Sequence, residues 1–107
     1  MNQFGDPLDA LEATIRSRRG ADPASSYTAS LFARGRAAIA QKVGEEAIET
    51  VIAATSDPAG LVPEAADLLF HLLILLADAG LSLNDVRAEL ARREGVSGHD
   101  EKAARSQ

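Results

Sequence analysis

The sequence predicts an all-α fold: a hairpin of two long helices flanked by shorter ones, with a four-helix-bundle-like core completed by dimerisation. Three observations lead there. Apolar residues recur at spacings of three and four, the period of a helix face. Caps, glycines and prolines fall between those segments, where helices start and stop. No alternation of strand type interrupts them over a useful length.

Each element follows from local chemistry. Asp6 before Pro7 reads as an N-cap with proline in the first turn, where its missing N–H is no loss. Leu8, Leu11 and Ile15 then lie on one face, and Gly20 closes the segment. GADPAS, residues 20–25, is a linker, and Ser25 or Ser26 can cap a short helix through SYTASLFAR that ends near Gly35. The first long helix is expected from about Arg36 to Thr55, with apolar positions at Ile39, Val43, Ala47, Val51 and Ala54. SDPAG breaks it, because the residue before Pro58 is pushed out of the helical region. The second long helix is expected from Leu61 to Ala79, ended by Gly80. Ser82 with Asp85 three residues later makes a capping box, with Leu81 and Val86 as its staple. That helix should stop near Gly95, and Ser97 can cap a last short one through GHDEKAAR. The chain reads as one domain, 1–107, with a helix and linker in 1–25 and a short helix and tail in 98–107.

Composition narrows the function. A chain of 107 residues buries a modest share of its surface alone, so self-association would help it. Between Leu68 and Ala77 only His71 is polar, and a helix apolar nearly all round wants cover from every side. A homodimer is the expected source of that cover. The run is too short by itself to span a bilayer, which takes roughly 18 residues. With no cysteine there is no disulfide framework and no thiolate metal site. The N-terminal residues lack the pattern of a secretory signal, so the expected location is cytoplasmic, with no membrane partner. A net charge of −5 speaks against nucleic acid as a partner.

The carboxylates carry the chemistry. KVGEEAIET puts Glu45, Glu46 and Glu49 on one side of the first long helix, where like charges repel. PEAADLLF puts Glu64 and Asp67 three residues apart on the second. In an antiparallel hairpin turning near Asp57, the two acidic stripes fall at matching heights. Several carboxylates then meet in one cleft, and a divalent cation is the simplest way to make that favourable. All-oxygen ligation suits Mg²⁺, or Mn²⁺. His71, one turn beyond Asp67, reads as a hydrogen-bonded core histidine. There is no EF-hand loop and no E-x-x-H, so calcium-loop and di-iron bundle patterns are missing.

This constellation resembles the all-α nucleoside triphosphate pyrophosphohydrolases. SYTASLFARG, KVGEEAIE, EAADLLFHLLILL and SGHDEKAAR narrow the resemblance to the phosphoribosyl-ATP pyrophosphatases, with Phe70 where tyrosine is frequent. It covers Ser26 to Arg105. It implies hydrolysis of phosphoribosyl-ATP to phosphoribosyl-AMP and pyrophosphate, the second step of histidine biosynthesis, in a free-standing form. It implies metal binding by Glu46, Glu49, Glu64 and Asp67, and catalysis by Glu45, Glu46 and Glu49, with Glu45 orienting water or joining the metal shell. Lys42, Lys102 and Arg105 would meet substrate phosphates; Tyr27 either touches substrate or packs. Two other readings stand beside it: a hydrolase of another nucleoside triphosphate, and a helical dimerisation module without catalysis.

Overall fold

A computed structural model describes residues 5–96 and 98–105. The described residues form six α-helices and no strand: α1 Pro7–Ser17, α2 Tyr27–Arg34, α3 Arg36–Ser56, α4 Leu61–Asp78, α5 Leu83–Arg92 and α6 Gly98–Arg105. The all-α expectation holds. A single 3₁₀ turn at Pro58–Gly60, which the periodicity does not reveal, carries the chain from α3 into α4.

The expected caps are formed. The Asp6 carboxylate accepts from the Leu8 N–H at 2.9 Å and starts α1. Ser26, not Ser25, caps α2 by accepting from the Ala29 N–H at 3.1 Å. Ser82 and Asp85 exchange hydrogen bonds as a capping box. The expected cap at Ser97 lies outside the described residues. Between α2 and α3 only Gly35 intervenes, with φ at 94°, a backbone region that a side chain would strain. That one residue lets two helices meet end to end at a sharp corner.

Helices α3 and α4 pack along their length as the hairpin, with α1 and α2 laid against them. The core joins Ile15 of α1, Leu31 of α2, Ile39 of α3, and Leu73, Ile74 and Ala77 of α4. Four helices of the chain therefore share it. The far end of α4 is tied down by polar contacts. Arg19 donates to the Ala77 carbonyl at 2.7 Å, Arg36 to the Asp78 carboxylate at 3.1 Å, and the Leu83 N–H donates to Glu12 at 2.7 Å.

The buried face of α3 differs from expectation. Val51 is 63 % exposed, and Ala54 is exposed too. The reason is angular drift. Steps of four residues advance about 40° each, so Val51 lies about 120° round the helix from Ile39. Steps of seven retreat by only about 20°. The residues buried in α3 are Ile39, Glu46 and Ala53, spaced by seven. A glutamate thus occupies the middle of the core-facing stripe.

Helix α4 is not covered on every side by the other described residues. Val62, Leu69 and Leu72 are exposed. Taken with the 3₁₀ turn, the stretch Pro58–Asp78 contains an 18-residue window of mean hydropathy 1.7 and is long and apolar enough to cross a bilayer by length and composition. Glu64, Asp67 and the buried His71 lie within that same stretch. Of its core residues, Ile74 is fully buried. Ile74→Ala should lower the unfolding free energy by about 2–5 kcal/mol, the usual result of a core cavity, as measured by urea denaturation.

Candidate metal centre

The site is built where the two stripes of the hairpin touch. On α3, Glu46 is held on the core face by its seven-residue register with Ile39 and Ala53. Glu49 follows three residues later at the rim. On α4, Glu64 lies in the first turn. Thr50 joins the two helices beside them. Its hydroxyl donates to the Glu46 carbonyl at 2.8 Å and lies 3.3 Å from the Glu64 carbonyl. Sequence reasoning missed Thr50, because a threonine inside a helix gives no sign of a contact with another helix.

One carboxylate oxygen each from Glu46, Glu49 and Glu64 lies within 4.8 Å of the others. Glu46 is 7 % exposed, Glu64 is half-buried and Glu49 is exposed. The Oε2 atoms of Glu46 and Glu64 are buried, and neither has a hydrogen-bond partner among the described residues. Buried carboxylate oxygens are costly to strand in this way. The carboxyl of Glu46 is pushed upward in pKa by burial first and then by the neighbouring Glu49, against the opposing pull of His71 and Lys42. Glu64 is pushed the same way by burial, then by Glu49, Asp67 and Glu46.

The other expected residues fall around this triad. Asp67 is exposed one turn along α4, outside the closest set but near enough to act on Glu64. Glu45 is exposed and turned toward the start of α3, 3.7 Å from the Lys42 ammonium and 3.3 Å from the Gln41 amide. Lys42 also lies 3.6 Å from Glu46. Burial works against its charge, but Tyr27, Glu45 and Glu46 outweigh that, and its pKa is raised, so it stays an ammonium. Lys102 and Arg105 stand in the last turn of α6, on a helix separate from the carboxylates. His71 is buried and hydrogen-bonded, as expected of a core histidine. Its Nδ1 lies 2.8 Å from the Asp67 carbonyl and its Nε2 2.8 Å from the Tyr27 hydroxyl.

Beyond the triad, an open cleft of about 350 Å³ is lined by Glu49, Ile52, Ser56, Asp57, Gly60 and Glu64. Two of the three carboxylates therefore face a space that a small molecule can enter. The donor set fits a hard divalent cation. It is all oxygen, it comes from two rigid helices, and it leaves two buried oxygens without partners.

Comparison with known proteins gives this geometry a family. Residues 8–94 match the phosphoribosyl-ATP pyrophosphohydrolase family model. The chain belongs to this family. A protein of Rhizorhabdus wittichii named phosphoribosyl-ATP pyrophosphatase is 65 % identical over 99 residues, covering 92 % of this chain and 93 % of the relative. Its namesake in Zymomonas mobilis is 61 % identical over 94 % of each chain. One from Paramagnetospirillum magneticum is 57 % identical over 99 % of this chain and 98 % of its own. All the triad carboxylates, with Asp67, Lys42, Tyr27 and His71, lie inside the family's matched span. Lys102 and Arg105 lie beyond it.

The electrostatics predict a signed pH effect. A carboxyl whose pKa is raised by folding stays protonated longer in the native state than in the unfolded chain. Its contribution to stability is therefore fully present below about pH 4.5 and is lost as pH rises through the raised value. In chelator, urea unfolding should show the parent losing more stability between pH 4.5 and neutrality than Glu64→Gln does. Equal losses in the two proteins would remove the repulsion inferred here.

Proposed function

We propose that this protein hydrolyses phosphoribosyl-ATP to phosphoribosyl-AMP and pyrophosphate, the second step of histidine biosynthesis. A divalent cation, Mg²⁺ or Mn²⁺, would be held by Glu46, Glu49 and Glu64 with Asp67 beside them. The observation that carries the reading is the triad itself: three carboxylates of two helices converge, and two of their buried oxygens lack partners among the described residues. The names of the relatives supply the substrate.

The chemistry follows from what these residues can do. A water oxygen forms a bond to phosphorus while the bridging bond between the α- and β-phosphates breaks, and pyrophosphate leaves with the electron pair. The cation, when bound, neutralises phosphate charge and makes the attacking water more acidic. Glu49, exposed beside the cleft, is placed to accept the proton that this water gives up. The Lys42 ammonium, held between Glu45 and Glu46, offers hydrogen bonds to a phosphate oxygen. Glu45 fixes the position of that ammonium from the solvent side. Lys102 and Arg105 supply further positive charge to the polyphosphate in this scheme. The helix scaffold keeps the acidic residues in place before substrate arrives, so little reorganisation is needed at the reacting centre.

The working form in this reading is a homodimer. Ile48, Val51 and Ile52 of α3 and Val62 of α4 are exposed in one protomer, Val62 to 78 %. A second copy laid against them would cover this apolar face. A cytoplasmic location goes with a nucleotide substrate that is made and used inside the cell.

Three measurements test the scheme. Pyrophosphate release from phosphoribosyl-ATP should require Mg²⁺ or Mn²⁺. Glu49→Gln and Asp67→Asn should each remove most of it with the helical circular dichroism intact, whereas Arg18→Gln should turn over at the parent rate. If both acidic variants work as well as the parent, the residues named here do not hold the metal. The melting temperature should rise in millimolar Mg²⁺ relative to chelator, since a ligand that binds only the native state stabilises it. An unchanged melting temperature would favour a helical module without catalysis. Light scattering should give the mass of two chains at micromolar concentration, and a stable monomer would overturn the dimer.

A further inference from the structure

Tyr27 is the only tyrosine of the chain, which has no tryptophan. It is the first residue of α2, directly after the Ser26 cap. Its side chain is 52 % exposed, an unusual place for an aromatic ring that is also firmly anchored. The anchor is the hydrogen bond at 2.8 Å between its hydroxyl and Nε2 of His71, which is only 5 % exposed. The direction of that bond follows from the other ring nitrogen. His71 Nδ1 faces the Asp67 carbonyl at 2.8 Å, and a carbonyl can only accept. Nδ1 therefore carries a proton, and in the neutral form of the ring Nε2 accepts from the Tyr27 hydroxyl. On the inner side, Phe70 lies nearly parallel to the Tyr27 ring, with centroids 6.3 Å apart and planes at 20°. Phe70 in turn stands edge-on to His71 at 5.2 Å.

The ring is thus held at its tip by His71 and flanked by Phe70, yet much of it remains open to solvent. Through His71 it is also tied to the acidic half of α4, since His71 Nδ1 lies 2.8 Å from the carbonyl of Asp67, three residues after Glu64. Tyr27 is among the groups acting on Lys42, and Lys42 lies 3.6 Å from Glu46. An aromatic face fixed beside a phosphate-binding ammonium and a carboxylate cluster matches the layout of a nucleotide, whose flat base is joined to its phosphates through one sugar. We propose that Tyr27 is a substrate-binding residue, its exposed ring face stacking on the purine base of the nucleotide, with His71 and Phe70 as positioning residues that hold the ring for it. This rests on the assignment of the carboxylate cluster as a nucleotide pyrophosphohydrolase site.

The test exploits the single tyrosine. Its ring protons give one set of resonances, and a base stacked on the ring must shift them upfield. Titration of the parent protein with AMP and with ATP in Mg²⁺ should produce a saturable upfield shift. Ribose 5-phosphate and pyrophosphate, which lack a base, should not. In kinetics with phosphoribosyl-ATP, Tyr27→Leu should raise KM roughly tenfold to a hundredfold, the range expected for losing one base–aromatic stack, with kcat little changed. Tyr27→Phe keeps the face but loses the bond to His71, and should fall between the parent and Tyr27→Leu in KM. His71→Gln, which keeps a polar partner for the hydroxyl, should lie closer to the parent than Tyr27→Phe does. Binding of ATP by calorimetry without any shift of the tyrosine resonances would overturn the proposal, and so would an unchanged KM in a folded Tyr27→Leu protein that hydrolyses phosphoribosyl-ATP. A base-dependent shift in a protein that fails to hydrolyse phosphoribosyl-ATP would leave the stacking intact and overturn the substrate assignment instead.

Discussion

The burial of Glu46 is the constraint on which the rest of this structure turns. A carboxylate on the core stripe of α3, level with Ile39 and Ala53, is unfavourable in a fold without a counter-charge. Lys42 meets one of its oxygens and leaves the other without a partner. Glu49 and Glu64 then add like charge instead of relieving it. A protein that sought only stability would place an alanine there. On the proposed reading, keeping a glutamate there lowers the stability of the metal-free hairpin, and a bound cation would restore it. Strain of this kind, located in an otherwise regular fold, is how a small helical scaffold becomes a site.

The scaffold tolerates this because its regular parts are well made. Side-chain caps at Asp6, Ser26 and Ser82 satisfy N–H groups at the starts of α1, α2 and α5. The hydrophobic cluster lies toward the C-terminal half of α4, at Leu73, Ile74 and Ala77, while Glu64 and Asp67 occupy its N-terminal half. One helix thus holds the fold together at one end and presents its carboxylates at the other. His71 lies between these regions. Its ring is buried like a core residue, its hydrogen bonds reach the backbone of Asp67 and the hydroxyl of Tyr27, and its charge environment includes Glu46. It links Tyr27 and Phe70 to the backbone of the acidic segment of α4.

Much of the fold was legible because helices are written in local terms. Caps, prolines, glycines and a 3.6-residue period act within a few residues, so the order and rough limits of the six helices could be read directly. The apolar pattern of α3 was less legible. Spacings of four look like a stripe but wind round the helix, and only the packing of α4 against α3 shows that Ile39, Glu46 and Ala53 face inward while Val51 does not.

The sequence by itself determined the types of residue at the site and that they stood on two helices of one hairpin, since a turn of four residues between them leaves few other arrangements. Which carboxylates converge was decided only by tertiary structure. Glu46, Glu49 and Glu64 come together, whereas Glu45 swings toward Lys42 and Gln41 and Asp67 stays one turn away. Rotation of each helix about its own axis settles this, and that rotation is fixed by side chains packing between helices far apart in sequence. The Tyr27–His71 bond, across 44 residues, has the same origin. Spacing along a chain carries no information about such a contact until the helices have docked.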